Sequence, residues 1–210
     1  MYSSLWVTSP PLVEPIVVDD AKSWLRVDND YDDTLIAGLI TAARMQIEAI
    51  TSRALITQTL LWAMYEEPST DSVAFYAFGP AIPIAVPYYS TPYFINRPLE
   101  LPRAPVQEIV SVSTTDGNSI STGLDPTDWE LDLGTETARL RLVPYVAWPQ
   151  RVSVEFVAGY GDGPAAVPAP LITATKLLVA HLYENRGDAL MPEVPAAIEY
   201  LTHQYRLTLV

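Results

Sequence analysis

The stretch from Asp28 to Arg53, DNDYDDTLIAGLITAARMQIEAITSR, leaves this chain the least freedom. Leu35, Ile36, Leu39, Ile40, Ala43, Ile47 and Ile50 recur at steps of three and four, so a 3.6-residue period gathers them into one broad apolar stripe. Asp30 stands where an N-cap belongs, Asp33 is placed to reach back like a capping-box acid, and Asp32 adds negative charge near the positive helix end. A helix from Tyr31 to Ser52, rising about 1.5 Å per residue, is roughly 33 Å long and crosses a small domain. Its stripe has to be covered, and the rest of the chain must supply the cover.

Two further helical patterns fit that task. A short amphipathic helix is expected over Asp19–Val27, with Ala21, Trp24 and Leu25 on its apolar side. Near the other end, LITATKLLVAHLYENRG keeps Leu171, Ala174, Leu178 and Leu182 in register, opens on Pro170 and ends at Gly187. Leu177 and Val179 widen its apolar surface, which makes it the expected partner of the long helix. A last amphipathic piece, Ala196–Tyr205, carries Ile198, Leu201 and Tyr205.

Between these helices the texture is that of strands. ALITQTLLWAMYE follows Arg53 as a first strand, and Val73–Phe78 is expected to return beside it as a hairpin. Gly79–Pro105 then interleaves Pro80, Pro83, Pro87, Pro92, Pro98, Pro102 and Pro105 with Tyr88, Tyr89, Tyr93 and Phe94. Prolines that dense exclude a central strand or a helix. VQEIVSVS, WELDL, ARLRL and RVSVEFVAGY resume the strand signal, with Val152, Val154 and Phe156 alternating against Arg151, Ser153 and Glu155. No helix-length pattern intervenes, so an antiparallel sheet or small β-barrel of about five or six strands is expected.

The fold class is therefore α+β. Residues 1–17, with Pro10, Pro11 and Pro15, read as an extended arm with little structure of its own, anchored by Trp6 and Leu12. Residues 18–55 and 166–205 form the expected helical core, 56–165 an inserted β domain, and 206–210 a tail. At 210 residues, 49% of them hydrophobic, the chain has enough material for a sizeable core. Its apolar runs are too short to cross a bilayer, and MYSSLWVTSP lacks the layout of a signal peptide, so a cytosolic start is expected.

Chemistry-bearing residues are few. Cysteine is missing, and His181 and His203 are the two imidazoles, which removes thiolate metal sites and much nucleophilic catalysis. Asp28, Asp30 and Asp32 have the opening spacing of a calcium loop, but the required glycine is Asp33 and the required glutamate is Leu39, so helix capping is the better reading. Gly159, Gly161 and Gly163 suggest a phosphate cradle, yet neither a lysine nor a helix start follows directly, and a turn is expected. His181 reads as a packed or interfacial histidine, and the acids Asp128, Glu130 and Asp132 as the wet face of a strand rather than a glycosidase pair. No catalytic residue, metal ligand or cofactor is assigned. The formal charge of −13 disfavours conventional duplex binding, because such affinity comes from basic groups neutralising phosphates. Two candidate interaction sites remain: the loop residues Tyr88, Tyr89, Tyr93 and Phe94, whose rigid aromatic area suits an interface, and the tail residues Tyr205, Arg206, Leu207, Leu209 and Val210, whose aliphatic members are expected to be exposed.

Taken in order, DDAKSWLRVDNDYDDTLIAGLITAARMQIEAITSRALITQTL at 19–60, LPRAPVQEIVSV at 101–112 and VEFVAGYGDGPAAVPAPLITATKLLVAHLYENRG at 154–187 resemble the head–tail connector (adaptor) proteins of long-tailed bacteriophages and gene-transfer particles. The resemblance implies a virion structural protein and no enzyme. It implies a ring of twelve copies seated on the portal protein in the neck, followed by a neck or tail-completion protein, assembled in the host cytoplasm and away from membranes. DNA would pass through the lumen without specific binding. Val17 and Val18 stand where many relatives carry a Thr or Ser cap, so the first helix is expected to start later, at Asp19 or Asp20. The alternatives are another neck or tail-completion component and, from a different class, an acidic DNA-mimic inhibitor.

Overall fold

The computed structural model describes residues 2–65, 73–77, 83–87, 98–134, 136–143, 151–186 and 195–207. Among these, four helices form around one apolar cluster: α1 (Val18–Leu25), α2 (Asp33–Thr51), α3 (Ala169–Glu184) and α4 (Ala196–His203). Ile36, Ile40, Ala43 and Ile47 of α2 meet Leu171, Ala174, Leu178 and Val179 of α3, with Ala21 and Ile198 closing the cluster from α1 and α4. The pairing of the long helix with the C-terminal one is as its apolar period foretold.

The helix starts differ from expectation. α1 begins at Val18, with Val17 in extended geometry and no side-chain cap. Packing of Ala21 and Leu25 into the core fixes this turn without a cap, and Asp19 and Asp20 sit in its first turn where they favour the dipole. Trp24, expected inside, is 47% exposed. α2 begins at Asp33, and its N-cap, Asp32, makes no capping hydrogen bond. The acids expected to cap are used elsewhere: Asp30 and Asp33 pair with Lys22 of α1, and Asp32 accepts from Tyr183 Oη of α3 at 2.6 Å. Their effect is to tie α1 and α3 to the head of α2.

The stripe on α2 is also narrower than its leucines suggest. Leu35 is exposed, and the buried face runs on through Arg44, Glu48 and Thr51.

Ten strands are described: β1 (Tyr2–Ser9), β2 (Gln58–Tyr65), β3 (Val73–Ala77), β4 (Pro83–Pro87), β5 (Leu99–Glu100), β6 (Val106–Thr115), β7 (Ser121–Gly123), β8 (Trp129–Asp132), β9 (Arg139–Leu142) and β10 (Arg151–Ala158). They make an antiparallel five-stranded sheet in the order β1-β2-β10-β6-β7, a three-stranded sheet β5-β9-β8 and a ribbon β3-β4. The large sheet is open, with β1 and β7 at its edges, and is not a barrel. β2 lies between β1 and β10, so both its edges are taken and the expected hairpin with Val73–Phe78 does not form. β3 pairs instead with β4, in a two-stranded ribbon where Pro83 and Pro87 are tolerated because both strands are edges.

β10 is the spine of the β region. Val152, Val154, Phe156 and Ala158 are fully buried while the residues between them are half-exposed, the alternation read from the sequence. They pack with Leu60 and Trp62 of β2, Val112 of β6, and Leu99, Leu140 and Leu142 of the smaller sheet. The arm is where expectation fails most: Tyr2–Ser9 is a full strand paired with β2 along its length. Trp6 and Leu12 do not anchor it, being 47% and 99% exposed, whereas Leu5 leans on the sheet core and Ile16 is buried among the helices.

Candidate functional site

The two cores meet at the C-terminal end of α2. Ser52 takes the left-handed conformation that ends the helix, and the chain passes through Arg53 and Ala54 toward β2. Ala54 belongs to the sheet core, the next two residues, Leu55 and Ile56, to the helical one. A helix end leaves carbonyls without partners, and a buried end must find donors for them. The Arg103 guanidinium donates to the Glu48 carbonyl, and Leu207 N–H donates to the Thr51 carbonyl at 3.1 Å. A cation at this end also complements the helix dipole.

The Glu48 side chain, 6% exposed, is the centre of the seam. Its Oε1 accepts from Leu55 N–H at 2.8 Å and from Gln58 Nε2 at 2.9 Å, and its Oε2 accepts from Arg44 Nη1 at 2.9 Å. Arg44 Nε reaches Glu14 Oε2 at 2.8 Å, and Glu14 Oε1 accepts from Thr41 Oγ1 at 2.8 Å. One chain of charge-assisted bonds thus links arm, α2 and β2. Burial pushes the Glu48 carboxyl above its ordinary range, against the pull of Leu55 N–H and the Arg44 and Arg103 charges. Burial likewise lowers Arg103.

Beside it lies a second cluster. Arg53 Nε donates to the Tyr205 carbonyl at 2.6 Å and Nη2 meets Glu136 at 3.3 Å, which fastens the chain after α4 to the seam. Burial raises the Tyr160 hydroxyl, with the Arg53 charge opposing it. Gly159 precedes that tyrosine at φ 145°, and a Cβ there would stand 2.5 Å from Thr57 N. Gly159 and Gly161 therefore lie in a close-packed turn, while Gly163 faces open space.

These clusters hold and orient; they contain no nucleophile with a base. Among the described residues no group of three His, Cys, Asp or Glu is placed to hold a metal. Asp128 accepts from Asp125 N–H, Glu130 pairs with Arg141 at 2.6 Å, and Asp132 accepts from Gly134 N–H, so the acids of that segment shape turns and a strand pair. His181, half-exposed on α3, has its carbonyl capped by Asn185.

The tail residues are divided by the structure. Tyr205 packs against the helical cluster, Leu207 is half-buried rather than exposed as expected, and Arg206 is exposed with Glu199 at 3.7 Å. Leu209 and Val210 lie outside the described residues, as do Tyr88, Tyr89, Tyr93 and Phe94. What sequence reasoning missed is the arm. Between Tyr2 and Val17 it exposes Tyr2, Trp6, Val7, Leu12, Val13 and Val17. Strand-like alternation is absent from YSSLWVTS, and three nearby prolines hid the pairing.

Residues 15–75 match the family described as phage gp6-like head-tail connector protein. That segment spans α1, α2 and β2 and contains the first of the three stretches that carry the resemblance, 19–60. No protein of curated function matches the chain. Solved structures share its fold almost end to end. A chain in the neck of an empty gene transfer agent (GTA) particle computed with C6 symmetry aligns with TM-score 0.70 at 22% identity, over 99% of this chain and 97% of that one. One in the virion of a native GTA particle aligns with TM-score 0.70 at 21% identity, over 98% and 96%. A third, in the neck of a native GTA particle computed with C12 symmetry, gives TM-score 0.62 at 22% identity, over 98% and 97%.

Proposed function

We propose that this chain is a head–tail connector, a virion structural protein that assembles into a ring in the neck of a phage-like particle. The observation that carries the reading is the coincidence of two independent likenesses. The connector family matches over α1, α2 and β2, and the fold of the entire chain, β region included, is that of a GTA neck component. The seam at Glu48 suits the role, because a ring subunit under load needs its helical and β portions locked together. The role is structural, and no reaction is assigned to it.

The finer assignments extend this reading. The ring has twelve copies, sits on the portal protein and hands on to a neck or tail-completion protein. Its lumen lets DNA pass without holding it, for which a chain of −13 is suited, since carboxylates repel phosphates. Tyr205 and Leu207, fixed to the end of α2, set the exit direction of a tail whose Arg206, Leu209 and Val210 dock on the portal. Tyr88, Tyr89, Tyr93 and Phe94 form a further neck contact.

Electron microscopy of particles made with and without this chain tests the proposal. Density for a ring of this fold between head and tail, and tailless heads in its absence, are expected. Complete tailed particles lacking the chain would overturn it.

A further inference from the structure

An edge strand presents a row of unpaired backbone groups, and soluble proteins blunt such edges with charges, prolines or short strands. β1 has none of these over Tyr2–Val7: it is eight residues long and uncharged throughout. A bulge at Val7/Ser9 is its single irregularity. Tyr2, Trp6 and Val7 are each about half exposed on it. Among the described residues nothing pairs with its outer side.

The opposite side of the same sheet offers a complementary edge. β7 pairs with β6 only over Ser113–Thr115, and Leu124 N–H takes the Val112 carbonyl. The run from Gln107 to Ser111 has no strand beyond it among the described residues; it carries two bulges against β10, at Gln107 and Val110, and Val110 is 52% exposed. β1 is antiparallel to β2, β2 to β10 and β10 to β6, so β1 and β6 run in opposite directions. If copies repeated head to tail with small rotation set β1 beside the β6 edge of the next copy, the two strands meet in antiparallel sense, the pairing the sheet already uses. A ring needs two such different surfaces on each subunit. An uncharged strand also adds no like-charge contact to copies that each carry −13.

We propose that the outer edge of β1 pairs with the Gln107–Ser111 edge of β6 in a neighbouring copy, so that one antiparallel sheet continues from subunit to subunit. The inference rests on the ring reading above, and its test separates the two. Hydrogen–deuterium exchange is followed for segments 2–9 and 106–111 in the unassembled chain and in isolated necks, alongside Val7→Lys, Val110→Lys and the milder Val7→Thr. Pairing predicts slower exchange of both segments in the ring. It also predicts loss of ring occupancy by about tenfold or more for either lysine variant, near-normal occupancy for Val7→Thr, and unchanged melting of all three unassembled chains. Rings that form normally with both lysine variants, with neither segment protected, overturn the pairing and leave the connector reading standing. Protection of 2–9 by isolated portal, before any ring exists, overturns it in favour of a different occupant. Wild-type chain that enters no ring in particles or with portal overturns both. Should Val7→Lys fold poorly, Val110→Lys reads the same contact from its other side.

Discussion

At Glu48 the folded protein binds its proton more tightly than the unfolded chain does, because burial outweighs the three groups that favour the carboxylate. A raised carboxyl contributes stability below its unfolded value, 4.5, and loses that contribution as pH rises through the folded value. Comparison with Glu48→Gln isolates the effect: the melting temperature of the wild type relative to the variant is expected to fall as pH rises from 4.5 toward neutrality. An increase over that window would contradict it. Asp30 has the opposite sign, its carboxyl lowered by Lys22, so acid below 3.8 weakens that pair as the carboxylate is lost. Truncating Glu48 to Ala is harsher, since it strands Arg44, Gln58 and the Leu55 N–H in the seam; about 3–5 kcal/mol of stability should disappear in denaturant titration. Gly159→Ala brings a Cβ against Thr57 N and the Ile56 carbonyl at positive φ, and neither backbone can yield cheaply. It should cost upward of about 1–3 kcal/mol, measured the same way.

Among elements, α2 and α3 were the most legible, because a period of 3.6 in apolar residues survives whatever the chain does elsewhere. Leu171, Ala174 and Leu178 are fully buried as their spacing required. Leu178→Asp should therefore exceed the roughly 2–5 kcal/mol of a Leu truncation, because it leaves a carboxyl without a partner. Leu39→Asp, at a half-exposed position, should do distinctly less, and equal melting of the two variants would refute the placement of the α2 face. The polar part of that face was not legible. Arg44 and Glu48 find buried partners only because the fold brings Glu14, Leu55 and Gln58, distant or non-helical in sequence, to them. The start of α2 misled for the same reason: Asp30, Asp32 and Asp33 have the chemistry of caps, but Lys22, Tyr183 and Arg186 claimed them. β10 announced itself by alternation, while β1 did not, since an edge strand that buries little beyond Leu5 has no apolar period to show.

For the whole molecule, the same tail is asked to close the subunit and to reach a partner, and removing it separates the two demands. Deleting Arg206–Val210 takes away the Leu207 N–H that satisfies Thr51, the Arg206 N–H bond to the His203 carbonyl, the half-buried Leu207 side chain and the exposed Arg206–Glu199 pair, and leaves Tyr205 with its carbonyl on Arg53. Each of the two hydrogen bonds is worth about 0.5–1.5 kcal/mol net. The exposed pair adds roughly 0–1 kcal/mol. The shortened chain should consequently fold, with its melting temperature lowered by only a few degrees for a domain of this size. If Leu209 and Val210 are buried by the portal, at roughly 1.5–3 kcal/mol each before ordering costs, attachment suffers far more than folding does. The expected phenotype is filled heads without tails, counted by electron microscopy, from a chain that still melts cooperatively. A large fall in melting temperature would assign the tail to the subunit's own stability, and normal tailed particles would remove it from portal docking altogether.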